Sequence, residues 1–384
     1  MNVAVIGAGT MGSGIAQVAA QAGHQVVLYD TRREAVDKAL AGLRKTLDKL
    51  VEKGKFTAEQ TDGIHGRITP ASDLKELAGS GLVIEAIIED LGIKQKLFAE
   101  LEGIVTTDAI LATNTSSLSV TAIAGGLKHA ERMVGLHFFN PAPLLPLVEV
   151  VPGLATAPDL AQRCAALMTA WGKAPVICKD TPGFIVNRVA RPYYGESIRI
   201  FEEGIADMAT IDAALRTYGG FRMGPFELMD LIGNDINFTV TKTVWESFFY
   251  DPRYNPSFTQ QRQVESGRLG RKTGRGYYSY AEGATLPAPQ VDMVLGNSIV
   301  ERVLAMLINE AADALFWGVA SAKDIDLAMT KGVNYPKGLL AWADEQGAAH
   351  WLGILETMQQ ETGEDRYRPS PLLRRMARQG GLFH

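Results

Sequence analysis

Two residues in neighbouring apolar runs have the types and placement for acid–base chemistry. His137 ends one run and Glu149 sits inside the next, within GLHFFNPAPLLPLVEVV at 135–151. Adjacent strands would bring them together. A carboxylate beside an imidazole fixes its tautomer and favours its protonated form. Such a pair suits removal of a proton from an alcohol. A second polar stretch, ATNTSSLS at 112–119, also follows an apolar strand. Ser116 or Ser117 could hydrogen-bond the reacting oxygen, and spacing alone does not separate the two.

A third stretch names a cofactor class. Val3 to Ile6 is a short apolar run ending in GAGTMG, with Gly7, Gly9 and Gly12 in GxGxxG spacing. A helical pattern follows from Met11 to Ala22, and then HQVVLYD ends at Asp30. Strand, glycine turn, helix, second strand and acidic tip form the dinucleotide fingerprint in its proper context. Gly7 allows the tight turn, Gly9 admits the pyrophosphate and Gly12 lets helix and strand approach. Thr10 and Met11 open the helix, whose free N–H groups attract a diphosphate. Asp30 would accept hydrogen bonds from a ribose and repel a 2′-phosphate. NAD is therefore the expected cofactor, although Arg32 and Arg33 follow closely.

The elements around these residues read as α/β. Expected strands cover 82–86, 110–113, 133–137, 147–151 and 174–178, with helices at 93–101 and 160–170. A helix hairpin at 33–56 and 58–64 interrupts the alternation, and its tip carries Lys53 and Lys55. Lys53 is a candidate contact for an anionic ligand tail. Open α/β sheets bind ligands beyond the carboxyl ends of their strands. Glu89, Asn114, Ser116, His137 and Asn140 fall there.

Composition narrows the class further. The chain has 384 residues, 46% hydrophobic and 21% charged, with a net charge of −5. That is an ordinary globular balance, and it lacks the basic excess of a nucleic-acid binder. The two cysteines, Cys164 and Cys178, are too few for a disulfide framework and fit a reducing, cytoplasmic setting. No apolar run is long enough to span a bilayer. The first residues read as a strand, not as a signal peptide. No metal-ligand cluster is visible.

GAGTMG, VIEAIIED, NTSSLS, GLHFFNP, LVEVV, DTPGFIVNR, MGPFEL and GRKTGRGYY occur in this order. Together they resemble the 3-hydroxyacyl-CoA dehydrogenase family, from residue 1 to about 280. The resemblance implies oxidation of (S)-3-hydroxyacyl-CoA to 3-ketoacyl-CoA with NAD. It implies that Ser116 binds the substrate oxygen, that His137 is the acid/base with Glu149 as its partner, and that Asn187 holds the acyl carbonyl region. It also implies cofactor contacts at Glu89, Lys94, Asn114, Asn140 and Lys272.

After residue 183 the pattern becomes helical, and it repeats. Residues 185–233 align without gaps to 299–347 at an offset of 114, with 13 of 49 positions identical; chance would give roughly three. RYNPS at 253–257 is echoed by RYRPS at 366–370. The expected organisation is a Rossmann-type NAD-binding domain at 1–183 and a helical substrate domain at 184–281. A second, non-catalytic helical copy follows at 293–384, and Pro287 and Pro289 mark the linker between the copies. Asn187 corresponds to Glu301 and MGPFEL to KGLLAW, and no counterpart of GRKTGRGYY is expected in the second copy. That copy would then serve packing, covering the first as a partner subunit would. Either a monomer or a dimer through another surface follows.

The acyl group is a separate question. Arg191 lies four residues after Asn187, on the same helix face. NRVARPYY and RYRPSPLLRR are similar to the 3-hydroxyadipyl-CoA branch of the family. That similarity implies a dicarboxylyl-CoA with Arg191 as its carboxylate anchor. A short-chain 3-hydroxybutyryl-CoA dehydrogenase, a dehydrogenase of free hydroxy acids and a non-catalytic crystallin-like NAD-binding relative remain the alternatives.

Overall fold

The computed structural model describes residues 1–384 and divides into two compact units, Met1–Phe184 and Ile185–His384. The first is built on an eight-stranded sheet. Its strands are β1 (Asn2–Ile6), β2 (Gln25–Tyr29), β3 (Ile68–Pro70), β4 (Leu82–Glu85), β5 (Ile110–Thr113), β6 (Met133–Phe138), β7 (Leu147–Pro152) and β8 (Ala174–Ile177). The spatial order is β3-β2-β1-β4-β5-β6-β7-β8. Only the β6–β7 pair is antiparallel. The inner strands carry continuous apolar runs because helices cover both faces: VAVI, LVI and ILA are all buried.

The helices of this unit are α1 (Thr10–Gln21), α2 (Arg33–Glu52), α3 (Ala58–Gly66), α4 (Leu91–Glu102), α5 (Val120–Ala124) and α6 (Leu160–Ala170). Between β2 and β3 the chain makes two helices, α2 and α3, packed on one another. Thr57 starts α3 with a reciprocal capping box to Gln60. Strand β3 was not expected from the sequence. It has three residues and pairs with β2 alone, too short to show a period.

The second unit is helical: α7 (Val186–Val189), α8 (Arg191–Glu202), α9 (Met208–Thr217), α10 (Pro225–Ile232), α11 (Asn234–Ser247), α12 (Phe258–Glu265), α13 (Met293–Phe316), α14 (Ala322–Gly332), α15 (Leu339–Gln346), α16 (Ala348–Thr362) and α17 (Pro371–Gln379). Apart from Phe184, which falls in the first unit, the helical stretches 184–281 and 293–384 lie in this same unit. Helix α13 is its axis. Its buried residues run from Gly296 to Ala314, and it packs on α8 and α9 and also on α15, α16 and α17.

Elements recur in order across the unit. Helices α9, α10 and α11 start at Met208, Pro225 and Asn234, and α14, α15 and α16 start at Ala322, Leu339 and Ala348. The aspartate of the first helix in each set braces the second. Asp212 accepts the backbone N–H of Phe226 and of Glu227, and Asp326 accepts those of Leu340 and Ala341. The end of the chain corrects one expectation. Phe383 and His384 are a reduced counterpart of GRKTGRGYY: their N–H groups bond Asp344 as those of Tyr277 and Tyr278 bond Asp230. His384 Nε2 lies 2.9 Å from Asp326, just as Tyr278 Oη lies 2.8 Å from Asp212. The motif is lost as a sequence and kept as a hydrogen-bond pattern.

Candidate active site

The glycine turn has the form that a dinucleotide needs. Gly7 sits at φ +100°, where a side chain would be strained, and a Cβ there would come 2.5 Å from the Ala86 carbonyl oxygen. A Cβ on Gly12 would overlap the Gly7 carbonyl oxygen at 1.7 Å. Gly9 faces open space. No side chain caps α1 and no acidic residue stands in its first turn. The first amides of the helix, among them those of Thr10, Met11 and Gly12, have no intrahelical acceptor and are available to an anion. Asp30 is held by the N–H groups of Ala8 and Arg32, at 2.8 and 3.0 Å, which aims its carboxylate at the turn. These residues fit NAD.

Strand register assembles the acid–base pair. In the β6–β7 ladder His137 stands directly opposite Glu149. Nδ1 of the ring is 2.6 Å from Glu149 Oε2. The glutamate is fully buried and the histidine 6% exposed. Phe139 and Phe184 flank the ring at 4.4 and 5.9 Å between centroids. With Nδ1 engaged by the carboxylate, Nε2 is the nitrogen that can exchange a proton.

The loop after β5 emerges beside this pair, because β5 and β6 are parallel neighbours with Thr113 opposite Gly135. Asn114 Oδ1 accepts the Phe138 N–H at 2.8 Å and ties loop to strand. Glu89 organises the serines. Its Oε1 accepts the Thr115 hydroxyl at 2.6 Å and the N–H groups of Ser116 and Ser117 at 2.9 and 3.2 Å. Both serine hydroxyls also reach it, Ser117 at 3.1 Å and Ser116 at 3.5 Å. Burial raises the Glu89 carboxyl, but the Lys94 charge and the bonds from Thr115 and Ser116 outweigh that, so it is held below its ordinary value.

Lys94 lies beneath this arrangement. It is 1% exposed, 2.6 Å from Glu85 and 3.2 Å from Glu89. Glu85 also accepts the Thr113 hydroxyl and the Ile87 N–H, both at 2.7 Å. Glu85 was missed at the sequence level as a site residue. Its signal was a carboxylate inside the apolar strand of VIEAIIED, which at zero exposure requires a counter-ion. Asn140 is exposed, on the loop after β6.

A cavity of 870 Å³ opens from the glycine turn. It runs past Thr10, Ser13, Arg32 and Lys38 to Thr46, Lys55 and Phe56, with Leu43 and Leu50 along its side and Pro143 and Leu144 opposite. Lys55 lines it and Lys53 does not. Lys53 is exposed at the end of α2 and forms no ion pair.

The remaining candidates lie in the helical unit. Asn187 is half-buried in α7. Lys272 pairs with Asp235 at 2.6 and 2.7 Å. Arg191 is buried at the start of α8, with Nε on the Asn187 carbonyl oxygen at 2.9 Å.

Two family models cover nearly the whole chain. The NAD-binding domain of 3-hydroxyacyl-CoA dehydrogenase matches residues 2–181, and its C-terminal domain matches 183–280 and again 299–382. The chain belongs to the 3-hydroxyacyl-CoA dehydrogenase family. It is an NAD-dependent oxidoreductase. It is 42% identical to the 3-hydroxyadipyl-CoA dehydrogenase of Escherichia coli K12, over 98% of this chain and 97% of that one. It is 41% identical to a 3-hydroxybutyryl-CoA dehydrogenase of Mycobacterium tuberculosis, which covers 73% of this chain and 98% of its own. The crystal structure of an E. coli K12 3-hydroxybutyryl-CoA dehydrogenase superimposes with a TM-score of 0.94 at 41% identity, over 99% and 98% of the two chains. No helix is long and apolar enough to cross a membrane.

Proposed function

We propose that His137, held by Glu149, is the general base that takes the hydroxyl proton of an (S)-3-hydroxyacyl-CoA at Nε2 as the 3-keto product forms. The observation that carries this is the buried 2.6 Å contact between the two side chains at the end of β6. The resulting imidazolium is stabilised by a carboxylate already in place. NAD, when bound, accepts the hydride. Gly7, Gly9, Thr10, Met11, Gly12 and Asp30 hold its pyrophosphate and adenosine ribose. Glu89, Asn114, Asn140 and Lys272 are assigned to its remaining contacts, and Lys94 positions Glu89 from below. The N–H and hydroxyl bonds that Glu89 accepts support a fixed serine loop, in which Ser116 donates to the reacting oxygen. Asn187 orients the acyl carbonyl.

The cavity beside α2 and α3 suits the extended, anionic part of coenzyme A. Apolar Leu43, Leu50 and Phe56 would face its body, while Arg32, Lys38 and Lys55 supply the local positive charge that a net −5 chain otherwise lacks. Lys53 stands near, at the exposed end of the hairpin. We further infer that the helical unit arose by duplication, with the repeated elements and aspartate braces as support. Its second half stands where a partner subunit would, so a monomer or a dimer through another face is expected. The absence of a disulfide between buried Cys164 and Cys178 fits a cytoplasmic setting.

The test is NADH oxidation with acetoacetyl-CoA. His137→Ala should lower kcat by about 10³-fold with little change in NADH affinity. Turnover within a few-fold of wild type would refute the base assignment. NADH binding without turnover in the wild type would instead favour the non-catalytic reading. Names of similar proteins point to two acyl groups, hydroxyadipyl and hydroxybutyryl. A substrate panel decides between them.

A further inference from the structure

The helical unit contains several deeply buried arginines, and one of them differs from the rest. Arg188 and Arg253 are paired with Glu310 and Asp313, and Arg366 with Glu196. Arg191 is as buried, at 8% exposed, and no carboxylate lies within ion-pair distance of it. Its Nε is used on the Asn187 carbonyl oxygen and its Nη1 reaches Thr241 Oγ1 at 3.3 Å. Its Nη2 makes no hydrogen bond. The only other compensation is the Tyr194 ring, 4.9 Å from the guanidinium carbon. A buried cation without a counter-ion is costly, so its free edge favours an anionic ligand.

One hydroxyl close by shares that condition. Tyr335 Oη is buried without a partner, and the residue is 6% exposed. Its ring and that of Tyr194 are near enough to Arg191 for their ionisation to be felt by it. Buried hydroxyls in native proteins are nearly always bonded. A guanidinium edge and an orphaned phenol in one neighbourhood match the donor set of a carboxylate site.

The origin of Tyr335 is informative. Its turn has Asn334 at φ +56°, and the corresponding turn in the first half has Gly220 at φ +68° followed by Phe221. The backbone turn is repeated, but the second half carries an added hydroxyl. Tyr335 packs edge-on against Phe221 at 5.0 Å and tilted against Tyr193 at 5.8 Å, so the ring is fixed by both halves.

We infer that Arg191 and Tyr335 bind the distal carboxylate of a dicarboxylyl-CoA substrate, so the second helical half supplies a specificity residue. This rests on the dehydrogenase reading above. The anion-binding edge starts one helical turn, roughly 6 Å, from Asn187, the residue assigned to the acyl carbonyl. A coenzyme A phosphate is the other source of an anion, and the experiment separates the two.

The measurement is kcat/KM for (S)-3-hydroxyadipyl-CoA relative to (S)-3-hydroxyhexanoyl-CoA, which has the same chain length without the terminal carboxylate. Wild type should favour the acidic substrate. Arg191→Leu should reduce that ratio by about 100-fold, and Tyr335→Phe by about tenfold. Tyr335→Phe restores the residue found in the first half and keeps the ring packing, so it guards against misfolding in the arginine variant. A ratio unchanged in both variants overturns the inference, as does equal loss with both substrates, which would indicate a phosphate. Wild-type turnover of hydroxyhexanoyl-CoA with no preference for the acidic substrate sinks the anchor alone. Turnover of neither sinks the dehydrogenase reading as well.

Discussion

The two halves of the helical unit agree where they hold each other and differ where a ligand would be met. Arg188 of the first half bonds Glu310 of the second at 2.5 Å, and Arg302 of the second bonds Glu196 of the first at 2.6 Å. Tyr254 donates to Glu310 at 2.6 Å, and Tyr367 donates to Glu196 at 2.9 Å. Arg253 stands 3.4 Å from Glu310, and Arg366 stands 3.5 Å from Glu196. Each glutamate is thus gripped by an arginine pair and a tyrosine of the opposite half. The exchange is reciprocal, as in a two-fold interface. Against this, Asn187 faces Glu301 in the alignment, and Phe221 faces Tyr335. Packing constrains both partners of a contact. A site constrains only the half that lines it.

The largest expected effect tests the reciprocal grip. Glu310→Ala leaves buried Arg188 and Arg253 with Asp313 alone, and Glu196→Ala leaves buried Arg366 unpaired and Arg302 with Glu203 alone; each should cost about 3 kcal/mol of stability. Urea unfolding should give similar losses for the two. A loss below about 1 kcal/mol for one of them would break the equivalence of the halves.

Acid sharpens the same point. Burial pushes Glu310 up, but Arg188, Arg253 and the Tyr254 hydroxyl overcome this and hold it below the ordinary value of about 4.3. A depressed carboxyl contributes stability above its unfolded pKa and loses it as pH falls through the folded value. The Tm gap between wild type and Glu310→Gln should therefore be full at pH 7 and narrow below about pH 4. A gap that is constant from pH 7 to pH 3 would mean that the glutamate acts by shape alone. The smallest effect concerns the reduced motif at the chain end. Tyr278→Phe removes a buried bond to Asp212 and should cost about 1 kcal/mol. His384→Ala, at a half-buried ion pair with Asp326, should cost no more than that in the same melts.

Motifs whose chemistry is local could be read in the residues. The GAGTMG turn needs glycine at three fixed positions whatever surrounds it. His137 and Glu149 meet because an antiparallel pair of short strands fixes their register. What escaped depends on distant chain segments. Tyr335 comes to Arg191 from 144 positions away, and no spacing rule links them. The counterpart of GRKTGRGYY at Phe383 and His384 kept its backbone N–H bonds and one side-chain contact while losing its letters. Lys94 reads as a cofactor contact only through the resemblance, and its burial against Glu85 and Glu89 had no signal in the sequence. Strand β3 was too brief to have a pattern.

The reciprocal glutamate grips have an evolutionary corollary. When identical subunits pair, every substitution is inherited by both members at once, so a change useful on one side is forced on the other. On the duplication proposed above, joining the pair through the tether at 281–292 releases that bond. One member can gain a hydroxyl at Tyr335 while its twin keeps the plain ring of Phe221. Tethering also replaces a dilution-sensitive encounter with a fixed high local concentration. The asymmetry then persists however scarce the protein becomes.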